Sequence, residues 1–496
     1  MKYAVPESEG ISSANIKRYI EKIEEAQLST HDIIIARGNN IIFEKYWEPF
    51  DSGFYHRMYS VSKSFVSLAI GFLEQDGLLS LDDPICKYFP DELKKQLDEN
   101  FRFQTVRHML MMSTAKTART WFTARPKDRV RFYFENDLKQ SRSSGTIFEY
   151  DSSGSFVLCA LAERLSGMQF MDYLRVKLFD HIGVSKKAYC LKCPGGHSWG
   201  DSGILCTPRD LLLTARFVLN KGRWDGRQIL NEEYVTAATS KQIDNNPLGI
   251  NEFNTQGYGY QFWRTYQNSF FFNGMGCQFA ICVPDKDIIF VYNGDNQGKT
   301  YASKIIIDNF FDIIVNTAVE EALPDNGAHE ELISYTNGLK LAHAVGASHA
   351  GTEEKVDGVT YILNDNPMGI SKMRLEFTAE GGTLFYTNAQ GDKELTFGRC
   401  ENVFDVFPEE GYSDEVGSVT APGNKYKCAS SAAWTENNKL FIKVQIIDTY
   451  FGTLNITLSF RDDLLGVQMN KCAEDFLDTY QGYATGKRQK SNVAEF

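Results

Sequence analysis

The stretch Met58-Tyr59-Ser60-Val61-Ser62-Lys63-Ser64-Phe65 decides the fold, and it contains the pattern Ser-x-x-Lys. An almost continuous apolar run follows and stops at Gly77, a residue type that commonly ends helices. The pattern predicts a helix that starts at Ser60 and carries Lys63 one turn later on the same face. Because the run is apolar nearly all round, we expect this helix inside a core, where its first-turn side chains are held rigidly.

A serine followed one helical turn later by a lysine is a candidate nucleophile. A hydroxyl becomes reactive when a base takes its proton, and a lysine amine can act as that base in a suitable environment. The N–H of Ser60 could also donate to an oxyanion. The alternative is a helix N-cap serine beside an unrelated lysine. Ser113-Thr114-Ala115-Lys116 shows that the pattern also occurs without an apolar helix behind it.

The composition is that of a globular chain with more than one domain. Its 496 residues are 43% hydrophobic and 23% charged, and the length exceeds that of a usual single domain. The net charge is −12 and basic blocks are absent, so nucleic acid is not an expected partner. No run predicts a membrane span or a signal region, and the 10 scattered cysteines favour reduced thiols in the cytoplasm.

The pattern along the chain predicts an α+β domain followed by an all-β domain. Strand-like runs near both ends of residues 1–325, with helices between them, indicate one antiparallel sheet flanked by helices. Residues 326–360 are predicted to form a polar linker. Regularly spaced short strands over residues 361–485 predict a β-barrel or sandwich, and residues 486–496 are predicted to be a disordered tail.

Two later motifs suit the same chemistry. Tyr150-Asp151-Ser152 precedes a second apolar helix, so the Tyr150 phenol could exchange protons with a serine or a leaving group. Ser152 is either a hydroxyl that faces substrate or the N-cap of that helix. Phe272-Asn273-Gly274-Met275-Gly276-Cys277-Gln278 enters a strand, and its glycines allow a ligand to approach the backbone. The structural alternatives are a core tyrosine and a bulged edge strand.

In this order, the three motifs resemble the serine β-lactamase-like family. That family includes class C β-lactamases, D-alanyl-D-alanine carboxypeptidases, related esterases and 6-aminohexanoate-dimer hydrolase. The resemblance covers roughly residues 5–320 and includes Leu81-Asp82-Asp83-Pro84 and Thr105-Val106-Arg107-His108-Met109-Leu110. It implies a β-lactamase/transpeptidase-like fold, with an inserted helical subdomain.

The resemblance also implies a role for each motif. Ser60 would be the acylated nucleophile, Lys63 would help to deprotonate it, and Tyr150 would carry the proton to the leaving group. The backbone N–H groups of Ser60 and Met275 would form the oxyanion hole, with Gly276 as the alternative second donor. A further set would bind substrate: Ser152, Asn273, Gly274 and Gly276. The mechanism needs no cofactor and no metal.

The third motif departs from the family pattern. β-Lactamases and carboxypeptidases of this family carry Lys-Thr-Gly or His-Thr-Gly there, whereas this chain has Phe272-Asn273-Gly274 without a cation. A substrate carboxylate would lose a charge-assisted partner worth about 1.5–3 kcal/mol. The sequence therefore favours a serine hydrolase of a small ester or amide, or of a short peptide, over an efficient β-lactamase. The alternatives are a D-amino-acid peptidase, β-lactamase-type activity, or an inactive relative that only binds ligands.

Two other patterns offer competing sites. Gly196-His197-Ser198-Trp199-Gly200 matches the Gly-x-Ser-x-Gly nucleophile motif, but it lacks the apolar strand before it and the helix after it. Cys190, Cys193 and Cys206 could bind zinc together with His197, although their spacing lacks a clean second pair. Either site would be an alternative to chemistry at Ser60.

Overall fold

The computed structural model describes residues 1–93, 98–117, 120–124, 126–135, 141–410, 425–473 and 477–489. The chain divides into two compact units, and the division lies between Lys340 and Leu341. This boundary falls inside the predicted linker of residues 326–360. The first part of that stretch is a helix, Ala328–Thr336, which buries Leu332 in the core of the first unit.

The first unit is built from strands and helices whose bounds are as follows. The strands are β1 (Lys2–Tyr3), β2 (Thr30–Arg37), β3 (Asn40–Tyr46), β4 (His56–Arg57), β5 (Tyr189–Cys190), β6 (Ile204–Cys206), β7 (Arg223–Trp224), β8 (Arg227–Gln228), β9 (Trp263–Arg264), β10 (Phe270–Gly274), β11 (Gln278–Val283) and β12 (Ile288–Gly294). The helices are α1 (Ser13–Glu25), α2 (Ser62–Gln75), α3 (Glu99–Arg102), α4 (Val106–Leu110), α5 (Arg129–Glu135), α6 (Ser152–Ser166), α7 (Phe170–Leu174), α8 (Asp180–Ile182), α9 (Pro208–Leu219), α10 (Glu232–Thr239), α11 (Ala302–Asn309) and α12 (Ala328–Thr336).

A seven-stranded sheet in the order β1-β3-β2-β12-β11-β10-β9 organises the first unit. Neighbouring strands run antiparallel, apart from the parallel edge pair β1 and β3. Strand β12 is buried along its whole length, as expected for a central strand that is covered on both faces. Between β3 and β9 in sequence, α9 packs against β11 and β12 of the sheet, whereas α2, α4, α5 and α7 contact α6. The predicted α+β fold class is confirmed.

Helix α2 is the buried helix that the apolar run predicts. All residues from Ser62 to Leu73 are buried, and the helix packs against α6, which is also largely buried. The helix begins at Ser62 rather than at Ser60, because Tyr59–Val61 form a tighter helical turn in front of it. Gly71 allows close packing, since a Cβ there would overlap the ring of Tyr234.

The second unit is a closed β-barrel preceded by the short helix α13 (Glu353–Val356). Its strands are β13 (Thr360–Leu363), β14 (Lys372–Phe377), β15 (Gly381–Asn388), β16 (Gly391–Arg399), β17 (Val403–Glu410), β18 (Lys425–Glu436), β19 (Lys439–Ile447), β20 (Phe451–Arg461), β21 (Leu464–Ala473) and β22 (Gly482–Arg488). The barrel closes because β16 pairs in parallel with β18, while β17 pairs with β18 beside this junction.

The architecture of the second unit and the start of the C-terminal tail can be compared with the predictions. The sequence predicted a β-barrel or a sandwich, and the structure shows that the second unit is a barrel. The predicted tail starts too early, because Gly486–Arg488 continue β22 and pair with both β13 and β21. The rest of the predicted tail, residues 490–496, lies outside the described residues.

Candidate active site

Ser60 lies in the turn that leads into α2. Met58 N donates to the Ile204 carbonyl at 2.8 Å and Val61 N donates to the Met58 carbonyl at 3.1 Å, so both ends of the turn are tied. Tyr59 has a φ of +46°, a left-handed conformation that a residue with a side chain rarely adopts. Such strain clusters at functional sites, where the surrounding structure holds it in place.

Lys63 contacts Ser60 directly. Its Nζ donates to Ser60 Oγ at 2.8 Å and to the main-chain carbonyl of Asp201 at 2.7 Å. The Lys63 side chain is only 1% exposed, because the surrounding helix is buried. A buried amine is therefore fixed against a hydroxyl that is partly exposed to the cavity.

The Tyr150 ring lies near Lys63. The Lys63 Nζ is 5.1 Å from the centroid of the Tyr150 ring, and this ring stacks on Trp263 with centroids 5.5 Å apart. Asp151 caps α6 by accepting from Ser153 N at 3.0 Å. Burial raises the pKa of the Asp151 carboxyl to about 6, although hydrogen bonds from neighbouring groups oppose this shift.

The third motif forms the turn between β10 and β11. Gly274 pairs with Gln278, which leaves Met275, Gly276 and Cys277 as the loop. Gly276 and Cys277 both have positive φ, at +78° and +74°. A Cβ at Gly274 would overlap the Met58 carbonyl oxygen, so only glycine lets β10 approach the turn of Ser60 so closely.

One cavity of about 380 Å³ brings these motifs together. Its described lining includes Ser60, Tyr150 and Trp263, together with Asn273, Gly274, Met275, Gly276 and Cys277. Lys63, which is buried behind the surface, reaches the cavity through Ser60. The structure thus places the predicted nucleophile, tyrosine and third motif around one space.

The cavity also contains a segment that the sequence motifs do not indicate. The loop between β12 and α11 contributes Asn296, Gln297, Gly298, Lys299 and Thr300, and the first turn of α11 contributes Ser303. Lys299 supplies a cation that the third motif lacks, and its Nζ also donates to the Gln27 carbonyl. No acidic side chain is among the described residues of the lining. The only sequence signal was a strand-to-helix loop, which carries no motif.

Ser152 does not line the cavity within the described part of the chain. It occupies the first position of α6 and is 8% exposed, whereas the N-cap is Asp151. The N-cap alternative for Ser152 is therefore wrong. A role for Ser152 in substrate binding stays a prediction.

The structure does not favour the two competing sites, the Ser198 motif and the cysteine–histidine group. Ser198 is 3% exposed and lies in an irregular segment, where its N–H donates to Glu163 at 3.2 Å. His197 Nδ1 lies 2.7 Å from the other oxygen of Glu163. Within the residues that the structure describes, no cluster of three His, Cys, Asp or Glu side chains could hold a metal ion.

A family model covers the same residues. The model described as Beta-lactamase matches residues 16–304, which include Ser60, Lys63, Tyr150 and the turn between β10 and β11. The chain belongs to the beta-lactamase family. The family is one of serine hydrolases, with amidases, esterases and β-lactamases among its members. The predicted resemblance is confirmed.

Relatives of this beta-lactamase family member are distant in sequence. The 6-aminohexanoate-dimer hydrolase of Paenarthrobacter ureafaciens is 24% identical over 262 residues, which is 49% of this chain and 66% of the relative. This chain thus spans slightly less than two thirds of that protein's length. Penicillin-binding protein 4* of Bacillus subtilis is 21% identical over 191 residues, or 35% of this chain and 40% of the relative.

Solved structures share the fold. The octameric penicillin-binding protein homologue from Pyrococcus abyssi has a TM-score of 0.51 at 17% identity, covering 95% of this chain and 99% of that chain. The structure of SurE with D-Leu has a TM-score of 0.50 at 16% identity, covering 86% and 96%. None of the helices in the described ranges is both long and apolar enough to cross a membrane.

Proposed function

We propose that this beta-lactamase family member is a serine hydrolase that cleaves a small ester or amide through an acyl-enzyme. The 2.8 Å contact between Lys63 Nζ and Ser60 Oγ, beside a cavity that Tyr150 also lines, supports the proposal. The Lys63 amine gives the Ser60 hydroxyl a base for attack, and the Tyr150 phenol in the same cavity is the candidate acid for the leaving group.

In the proposed reaction, Ser60 Oγ attacks the substrate carbonyl carbon while Lys63 Nζ takes the hydroxyl proton. The carbonyl electrons form an oxyanion, to which the N–H groups of Ser60 and Met275 donate. Tyr150 passes a proton to the leaving group as the C–O or C–N bond breaks, and Ser60 remains as an ester. A water molecule that loses a proton to the same groups then cleaves this ester and restores Ser60. These steps need no cofactor.

The cavity lining supports a small, partly apolar substrate. Tyr150 and Trp263 offer stacked aromatic surface, while Asn273 offers an amide. The third motif lacks a cation and the Lys299 Nζ donates to the Gln27 carbonyl, so we expect β-lactams to be turned over poorly. The second candidate is a D-amino-acid peptidase or β-lactamase-type activity on substrates with a free carboxylate, which the position of Lys299 favours. An inactive, ligand-binding relative is the remaining alternative.

The proposed partner is a small molecule and the proposed compartment is the cytoplasm. The net charge of −12 does not favour nucleic acid. Six of the 10 cysteines are buried as free thiols, which is typical of proteins from reducing compartments.

Labelling with a fluorophosphonate probe tests the proposal. We expect the wild type to be labelled and Ser60→Ala to lose the label, because the probe reacts with an activated serine. Ser198→Ala is the matched control and should keep the label. A label that survives in Ser60→Ala but is lost in Ser198→Ala would move the nucleophile to Ser198, and an unlabelled wild type would favour a ligand-binding protein.

A substrate panel then separates the candidate activities. Acyl esters, D-amino-acid amides and a chromogenic β-lactam are to be compared on the wild type and Ser60→Ala. We expect Ser60-dependent turnover of esters or amides that is at least ten times faster than that of the β-lactam. Equal or faster β-lactam turnover would contradict the proposed substrate class.

A further inference from the structure

Lys63 has a second contact that the proposed mechanism does not use. Its Nζ donates to the main-chain carbonyl of Asp201 at 2.7 Å. Asp201 is 0% exposed and lies in a tightly packed turn, since a Cβ at Gly200 would overlap the side chain of Cys159. The carbonyl of Asp201 is therefore a rigid partner that holds the Lys63 amine on the side of Ser60.

The Asp201 carboxylate is buried as well. Oδ2 accepts from Trp121 Nε1 at 3.3 Å, whereas Oδ1 has no hydrogen-bond partner among the described residues. Burial raises the pKa of this carboxyl, and the charges of Lys63 and Arg129 oppose the shift. A buried carboxylate with an unsatisfied oxygen is costly unless cations offset its charge, and the cations linked to Asp201 here are Lys63, through the Asp201 carbonyl, and Arg129, through Trp121.

The second cation, Arg129, is fixed by the same tryptophan. Its guanidinium lies 4.7 Å from the Trp121 ring, it donates to the Trp121 carbonyl at 3.0 Å, and it is 3% exposed. Other titratable groups that act electrostatically with Asp201 are the thiols of Cys159 and Cys190, whose pKa values burial raises, so they stay neutral. Two buried cations are thus linked to Asp201, Lys63 directly at its carbonyl and Arg129 through Trp121.

We propose that Asp201 is a positioning residue, whose carbonyl orients Lys63 and whose carboxylate is the counter-charge that Lys63 shares with Arg129. This inference rests on the proposed function, in which Lys63 takes the proton of Ser60. Removing the carboxylate leaves two cations without an anion, which favours release of the Lys63 proton. Removing the Arg129 charge leaves Lys63 as the sole partner of the carboxylate, which favours retention of that proton.

Because the two substitutions are expected to shift the loss of the Lys63 proton in opposite directions, the experiment compares both. The rate of Ser60 acylation by a p-nitrophenyl ester is to be measured against pH in the wild type, Asp201→Asn and Arg129→Gln. We expect the acid limb of the profile to move to lower pH by about one unit in Asp201→Asn and to higher pH in Arg129→Gln. A purely structural role would lower the rate without moving the limb.

Asp210→Asn is the matched control. Asp210 is also a buried carboxylate, at 4% exposure, but it accepts from Ser185 N and Thr207 N at 2.7 and 3.0 Å at the start of α9. We expect this variant to lose stability while its acid limb stays within about 0.3 units of the wild type, well below a shift from a nearby charge.

A second readout separates this inference from the proposed function. The ¹³Cε signal of labelled Lys63, assigned with Lys63→Arg, reports the titration of Lys63 whether or not any ester is turned over. Titrations of Lys63 that stay unmoved in both variants, or that move in the same direction, would overturn the role of Asp201. If one variant fails to fold, the direction in which the Lys63 titration shifts in the other variant decides whether Asp201 has the proposed role. A wild type without Ser60-dependent acylation would overturn the proposed function alone.

Discussion

At the scale of single residues, the carboxyl of Asp151, which follows Tyr150 in sequence, makes the stability of the fold depend on pH. Its pKa is about 6 in the folded protein, against an ordinary value of 3.8. Because the folded state binds this proton more tightly, the stabilisation is complete below about pH 4 and is lost as pH rises through 6. The shift corresponds to about 3 kcal/mol.

Asp151→Asn should therefore flatten one part of the stability profile. We expect the free energy of unfolding of the wild type, relative to the variant, to fall by about 2–3 kcal/mol between pH 4 and pH 7. Asparagine is also a good N-cap, so α6 should stay intact. Urea denaturation at several pH values measures the difference. A constant or rising difference would show that this carboxyl does not have a raised pKa.

Lys299 is expected to govern which substrates bind. Lys299→Met should raise KM about 10–100-fold for a p-nitrophenyl ester with a terminal carboxylate, because a charge-assisted hydrogen bond is lost. The matched substrate is the neutral ester of equal chain length, whose KM should change less than about threefold. Lys299→Arg keeps the charge and should restore most of the binding. Equal losses on both esters would indicate a structural role, through the bond to Gln27.

The chemistry-bearing residues differ in how far they could be predicted from sequence. Ser60, Lys63 and Tyr150 stand at the starts of strongly apolar helices, and that local pattern reveals them. Asp201 and Lys299 have no such local signal. Their proposed roles rest on what lies near them in space, and the contacts concerned join residues more than 100 positions apart.

At the scale of elements, the approach of β10 to the turn of Ser60 is expected to control the oxyanion hole. Gly274→Ala should push β10 away, since the added Cβ overlaps the Met58 carbonyl. We expect Ser60 acylation to slow about 100-fold or more, because a displaced donor no longer reaches the oxyanion. Stopped-flow measurement of the acyl-enzyme checks this.

Gly338→Ala is the control for this substitution. Gly338 has open space around the position of a Cβ and no positive φ, so the change should leave the acylation rate unaltered. A Gly274→Ala variant that acylates as fast as Gly338→Ala would remove this turn from the oxyanion hole.

Elements were predictable where their apolar pattern is strong. Helix α2 is such a case, but its start was placed two residues early, because the turn of Tyr59–Val61 depends on a bond from Met58 to Ile204. Helix α12 was assigned to the predicted linker because it buries only Leu332 and Thr336, which gives it a weak apolar pattern. The end of β22 was missed for a related reason, since the small residues Ala484 and Gly486 face inward and give no apolar alternation.

At the scale of the whole molecule, the barrel has a core of its own. Its strands contribute apolar side chains that are 0% exposed, among them Leu384, Ile442 and Leu458. One space between such side chains, lined by Tyr361, Leu384 and Phe460 among others, is only about 10 Å³. A space of that size holds about one water molecule and no substrate. The interior of the barrel therefore serves as a packed core, which makes the second unit a candidate for independent folding.

We expect residues 341–496, expressed alone, to fold into a β-rich unit that unfolds cooperatively. The closed barrel has paired strands around its circumference and buried apolar side chains in its interior, so we expect it to be stable without the first unit. Circular dichroism and urea denaturation measure this. Ile442→Asp places a charge at a site of 0% exposure and should abolish folding, whereas Ile362→Asp, at 47% exposure, should not. A fragment with a coil spectrum, or one that both substitutions affect equally, would show that the barrel depends on the rest of the chain.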